Sequence, residues 1–96
     1  MSDPEIRLEI GEGRGRYVSG LDGDEAELTF SITSPTLRIA DHTGVPDRVR
    51  GTGVGQKLVE RMVQDAREQG FRIVPLCPFV NAQRRRHPEW ADAFSV

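Results

Sequence analysis

Arg50-Gly51-Thr52-Gly53-Val54-Gly55 combines what a bound phosphate would need. Glycines let a backbone turn tightly and approach a ligand with no side chain in the way. If a helix starts at Val54, its first amides lack internal partners and lie at the positive end of the helix dipole. Such an end suits a phosphate or pyrophosphate, and the guanidinium of Arg50 can reach the same anion. Two other phosphate loops are excluded. A Walker A loop needs lysine and then serine or threonine after its last glycine, but Gln56 and Lys57 follow Gly55. A dinucleotide fingerprint needs G-x-G-x-x-G early in a strand-helix-strand unit, whereas Gly51, Gly53 and Gly55 are each two apart and follow four strands. The same glycines would equally serve a plain turn that feeds a helix.

Other residues with chemical potential lie on either side. Cys77 precedes Pro78. If Pro78 opens a helix, the thiol sits at that helix's N-terminus, where the dipole favours a thiolate. The alternative is a small buried apolar residue. The imidazole of His42 could act as a general base near pH 7 or hold a strand end by hydrogen bonds. His87 precedes Pro88 and suits a structural helix stop. Arg84-Arg85-Arg86 reads as a solvated helix face, with the sharper option that one arginine meets a phosphate. Two histidines and one cysteine at these spacings match no zinc pattern, so no metal site is expected.

The elements that must position these groups follow from periodicity. Ile6, Leu8 and Ile10 alternate with polar residues as in a half-buried strand. A glycine-rich turn spans Gly11 to Gly15. Tyr17-Val18 begins a second strand, which Gly20 and Leu21-Asp22-Gly23 stop. Ala26, Leu28, Phe30 and Ile32 give the clearest alternation, broken at Ser34-Pro35. Leu37, Ile39 and Asp41 share one face of a fourth strand running toward Val45. Short connections predict an antiparallel meander. After the loop from Pro46 to Thr52 the period changes. Val54, Leu58, Val59, Met62, Val63 and Ala66 predict an amphipathic helix that Gly70 ends. Arg61 and Asp65 stand four apart on it and could pair. Phe71 to Leu76 reads as a buried strand, and the long crossover makes it parallel to the fourth. A short helix from Pro78 to about Arg86 follows, and Trp90 and Phe94 could seal a last segment onto the core.

The 96 residues make one domain, 1–96, with an apolar fraction of 36%. The formal net charge of −2, with acids and bases interspersed, argues against a nucleic-acid or membrane-surface binder. A lone cysteine cannot form an internal disulfide, Met1 to Glu5 lack a signal-peptide pattern, and no apolar run approaches a membrane span. A cytoplasmic location is expected.

Arg50-x-x-Gly53-x-Gly55 matches the Q/R-x-x-G-x-G/A signature of the GNAT acetyltransferase superfamily at the same strand-to-helix junction. His42-Thr43, Leu76-Cys77-Pro78-Phe79-Val80 and His87-Pro88-Glu89-Trp90 resemble a subfamily of very small GNAT-like proteins. The resemblance extends over about residues 36 to 90; before that only the strand pattern agrees. It implies an α+β, minimal GNAT fold, an antiparallel meander followed by a parallel β-α-β unit with a splayed cofactor cleft. Acetyl-coenzyme A would lie in that cleft. Val49, Arg50, Gly51, Thr52, Gly53, Val54 and Gly55 would hold its pyrophosphate. Thr43, Gly44 and Val45 would bond its pantetheine arm, with Gly44 marking a bulge or a close approach.

The implied activity is direct acetyl transfer from acetyl-coenzyme A to an unidentified amine, a small molecule or a protein lysine. Cys77 would border the thioester, as acetyl carrier or base, and His42 would lie close to it. The chain departs from larger members in two ways. It has no room for the pair of helices that walls their acceptor site, so that site would be open or completed by a second chain or a protein partner. Its only tyrosine is Tyr17, whereas larger members often place one after the fifth strand as general acid; Asn81, Gln83 and Arg84 stand there instead. Asn81 and Arg84 are expected at the cofactor. Without catalysis, the same cleft would make an acyl-coenzyme A-binding module, or a module for another anion.

Overall fold

The computed structural model describes residues 5–20 and 23–96. Met1 to Pro4, and Leu21-Asp22 of the expected turn, lie outside them. Four antiparallel strands come first: β1 (Ile6–Ile10), β2 (Arg14–Ser19), β3 (Ala26–Ser34) and β4 (Leu37–Gly44). Gly15, expected in the first turn, is a strand residue paired with Ile10 and Phe30. A 3₁₀ turn at Asp47–Val49 leads to helix α1 (Val54–Gln69). Then come β5 (Arg72–Val74), helix α2 (Pro78–Arg86) and a 3₁₀ turn at Pro88–Ala93. The sheet order is β1-β2-β3-β4-β5, and β5 runs parallel to β4. The fold is therefore α+β: an antiparallel meander closed by one parallel β-α-β crossover, which returns the chain to the free side of β4.

One face of the sheet packs on α1. Tyr17, Leu28, Phe30, Ala40 and Ile73 meet the helix stripe Leu58, Val59, Met62, Val63 and Ala66, all of them buried. Burying each large apolar side chain here contributes about 1.5–3 kcal/mol. Gly70, at φ 80°, ends α1 with its N–H on Ala66 O. Trp90 and Phe94 are buried as expected. Phe94 bridges to Ile73, and Ser95 N–H donates to Ile73 O at 2.8 Å, which covers the outer edge of β5.

Two local features differ from the sequence expectation, and a third goes beyond it. The first is β5, which is only three residues long. Pro75 has no N–H to give, and Leu76 N–H turns back to Val74 O at 3.0 Å, leaving Leu76 66% exposed. Cys77 N–H then returns to Ala40 O at 2.9 Å. Past that bond β4 runs on to Gly44 with no strand on its β5 side, so β4 and β5 part here. The second is the bulge of β4, which lies at Asp41 rather than Gly44. Thr29 pairs with His42 and Phe30 with Ala40, so Asp41 is the extra residue, its carboxylate accepting from Ser31 Oγ at 2.7 Å. The extra residue shifts the alternation, so Ala40 and Thr43, the partners of Phe30 and Leu28, share the helix side of the sheet. Leu37 and Ile39 are only half-buried, and Arg38 lays its guanidinium over Phe71 (4.1 Å) and Phe30 (5.1 Å).

The third is a buried polar group. Tyr17 Oη donates to Asp65 Oδ2 at 2.8 Å, and Arg61 Nε meets the same carboxylate at 3.3 Å. Burial, and then the bond to Asp65, push the phenol's pKa well above its ordinary value. Arg61 also donates to Ile6 O at 3.3 Å, tying β1 to α1. Among the described residues no helix is long and apolar enough to cross a membrane.

Candidate functional site

Where β4 outruns β5, a cleft of about 520 Å³ opens between β4, the head of α1 and α2. Thr43 and Val45 form one wall. Val49, Arg50, Gly51, Gly53, Val54, Gly55 and Gln56 form the loop and floor, and Phe79 and Gln83 of α2 form the other wall.

The floor is the N-terminus of α1. Its first internal bond runs from Lys57 N–H to Gly53 O at 3.0 Å, so the amides of Val54, Gly55 and Gln56 have no intrahelical acceptor. No side chain caps this end, and its first turn carries no acid. The positive end of the dipole therefore meets the cleft unopposed. Gly53 adopts φ 84°, which other residues rarely take, and a Cβ there would meet nothing within 4 Å. Gly55 differs: a Cβ would stand 2.8 Å from Phe79 Cζ. The missing side chain lets the Phe79 ring lie across the head of α1. Arg50, largely exposed, reaches Asp47 Oδ1 at 3.3 Å and Val45 O at 3.4 Å beside the cleft.

The structure thus gathers Thr43, Val45, Val49, Arg50, Gly51, Gly53, Val54 and Gly55 around one space. Four other expected residues do not line it. The Thr52 hydroxyl is turned back to Val49 O at 2.6 Å. Gly44 pairs with Glu27 on β3. Asn81 and Arg84 bond each other at 3.0 Å, one turn apart on α2. Sequence reasoning assigned nothing to Gln56, Phe79 or Gln83. Gln83 is 6% exposed, and its Oε1 has no hydrogen-bond partner. Its spacing of four from Phe79 was the available signal.

Cys77 lies behind the wall, 4% exposed, with Sγ 3.4 Å from the Thr43 hydroxyl. It is the N-cap of α2, with Pro78 opening that helix. His42 is exposed, adjacent to Thr43 but on the opposite sheet face, beside Thr29. His87 closes α2 through its N–H to Gln83 O, stacks on Trp90 at 4.0 Å and bonds Glu89 through Nδ1. Arg85 and Arg86 are exposed. Among the described residues no three His, Cys, Asp or Glu side chains come together as a metal site would require.

A hollow of about 640 Å³ beside β1, β2 and β3 is larger, and two of its charged residues, Arg16 and Glu9, bond each other. Arg16 bonds Glu9 (2.8 Å) and Glu27 (2.7 Å), which hold it firmly protonated.

The sequence family described as GCN5-related N-acetyl-transferase matches residues 16–93. A GCN5-like protein from Staphylococcus aureus, whose solution structure was determined by NMR, superposes with a TM-score of 0.74. It is 32% identical, and the match covers 99% of this chain and 91% of that one. No curated protein matches the chain.

Proposed function

The chain belongs to the GCN5-related N-acetyltransferase family, and from that premise we propose that it moves an acetyl group from acetyl-coenzyme A to an amine. One observation carries the proposal: the uncapped head of α1 faces the free edge of β4 across a single cleft. The amides of Gly53 to Gln56, with Arg50, hold the pyrophosphate. The backbone from Thr43 to Val45 bonds the pantetheine arm as a neighbouring strand would. The bound thioester supplies the acetyl group. His42, on the far face of β4 at the splay, takes the amine's proton as the nitrogen–carbonyl bond forms and the carbon–sulfur bond breaks. Coenzyme A leaves as the thiolate and takes a proton from solvent.

The Cys-Pro-Phe-Val segment and the His-Pro-Glu-Trp segment support reading the chain as one of the very small members of the family. Phe79 walls the cleft, Val80 is buried in the core, and His87 stacks on Trp90. The acceptor is a small amine or a protein lysine. It is met on an open sheet face, which a second chain or a protein partner completes.

A second reading has its own support. Tyr17, the sole tyrosine, is sealed in the core on Asp65, and Cys77 lies behind Thr43. With no phenol and no open thiol at the cleft, the domain would hold acyl-coenzyme A without turning it over.

Both readings are tested together. Acetyl-coenzyme A at 100 times its dissociation constant should stabilise the fold by about 2.7 kcal/mol, and ATP and NAD should do far less. Release of free coenzyme A thiol in the presence of small amines or lysine peptides then separates enzyme from binding module. No thermal shift at millimolar acetyl-coenzyme A would contradict both.

A further inference from the structure

Gln83 is the one cleft residue whose buried polar atom has no partner: the side chain is 94% buried, and Oε1 receives no hydrogen bond. A buried carbonyl oxygen left unsatisfied is costly, and native structures retain few of them. Such an atom beside a cleft is explained when the cleft's occupant brings the missing donor.

We infer that the Gln83 carboxamide accepts a hydrogen bond from an amide N–H of the pantetheine arm, and so distinguishes pantetheine-bearing ligands from bare nucleotides. The inference rests on the proposed use of the cleft for acyl-coenzyme A. Three observations lead to it. First, the unpaired atom is an acceptor, so it needs a donor. Phosphate oxygens at the head of α1 offer none, whereas the pantetheine arm carries two secondary amides. Second, Gln83 stands one helical turn after Phe79 on the same face of α2, about 5–6 Å along the axis. Phe79 abuts Gly55 at the α1 head, so Gln83 lies a turn further along the cleft wall. Third, the facing wall is Thr43 and Val45, where β4 has no strand on its β5 side. An amide chain laid there is bonded by backbone on one side and by Gln83 on the other. The last torsion of glutamine is broad, so its amide can turn to the ligand without moving α2.

The test is Gln83→Met, which keeps length and bulk but removes both polar ends. Calorimetry would compare wild type and variant with acetyl-coenzyme A and with 3′-phosphoadenosine 5′-diphosphate, the nucleotide part alone. The variant should bind acetyl-coenzyme A about three- to tenfold more weakly, the scale of one neutral hydrogen bond, and the nucleotide as wild type does. The ligand-free variant should melt at the same temperature as wild type or up to about 4–8 °C higher, because an unsatisfied group is gone. Undiminished acetyl-coenzyme A affinity, equal losses for both ligands, or a lower melting point would each overturn the inference while leaving the cleft's proposed function standing. Failure of wild type to bind acetyl-coenzyme A would overturn both.

Discussion

Gly55→Ala should separate the stability of the domain from its ligand affinity. The added Cβ would stand 2.8 Å from Phe79 Cζ and 3.2 Å from Cε2, against an ordinary contact of at least 3.4 Å. The ring must therefore move by roughly 0.6 Å, or more with tilting. It is the far end of a side chain 36% exposed at the cleft, so it can move without disturbing the core. Alanine is also the better helix former, by up to about 1 kcal/mol. These effects nearly offset, so the free protein's melting point should stay within a few degrees. The displaced ring intrudes on the cleft, however. Overpacking of that kind costs about 1–3 kcal/mol, a five- to 150-fold loss of acetyl-coenzyme A affinity by calorimetry. Phe79→Leu in the same background should restore most of that loss. Unchanged affinity in Gly55→Ala, or a large stability loss with no rescue, would refute the assignment of Phe79 as a cleft wall.

Tyr17→Phe removes a buried bond to Asp65 and should cost about 2 kcal/mol, or roughly 8–16 °C in melting point. The raised phenol pKa means that the unfolded chain loses this proton first. Wild-type stability should therefore fall as pH rises above about 10, where free tyrosine ionises, and urea midpoints of Tyr17→Phe should lack that part of the slope. Arg50→Ala should weaken acetyl-coenzyme A binding about fivefold at low salt and less at high salt, because the side chain is 71% exposed. Cys77→Ala should cost about 1 kcal/mol of stability and leave ligand affinity intact. Intact-mass measurement of wild type with acetyl-coenzyme A alone should show no stoichiometric adduct of roughly 42 Da, since direct transfer needs no acetyl-thiol intermediate.

What the sequence disclosed depended on range. The alternation from Ala26 to Ile32 and the stripe from Val54 to Ala66 are local patterns set by burial of one face, and they appear in the structure as β3 and α1. The glycine loop was legible because a helix N-terminus and its preceding turn lie within six residues. The bulge was misplaced because its marker is a pairing shift against β3, not a residue type; Asp41 carries no glycine signal. The bond between Tyr17 and Asp65 joins positions 48 apart in sequence, and no spacing rule reaches across that distance. Gly55 looked like a phosphate glycine, and its missing side chain also makes room for the Phe79 ring, a feature that only the packing of α2 on α1 reveals. Gln83 had no signal as an unpaired acceptor, because its burial depends on where α2 lies.

Occupation of the cleft between β4, the head of α1 and α2 by acetyl-coenzyme A is what the proposed function requires first. Its most direct test is an amide NMR titration of the labelled protein with acetyl-coenzyme A. The largest changes should fall on Gly53, Val54, Gly55 and Gln56, with a second group at Thr43 to Val45 and on the Gln83 side chain. Absence of changes at millimolar ligand, or changes gathered around Glu9, Arg16 and Thr29 instead, would contradict binding in this cleft.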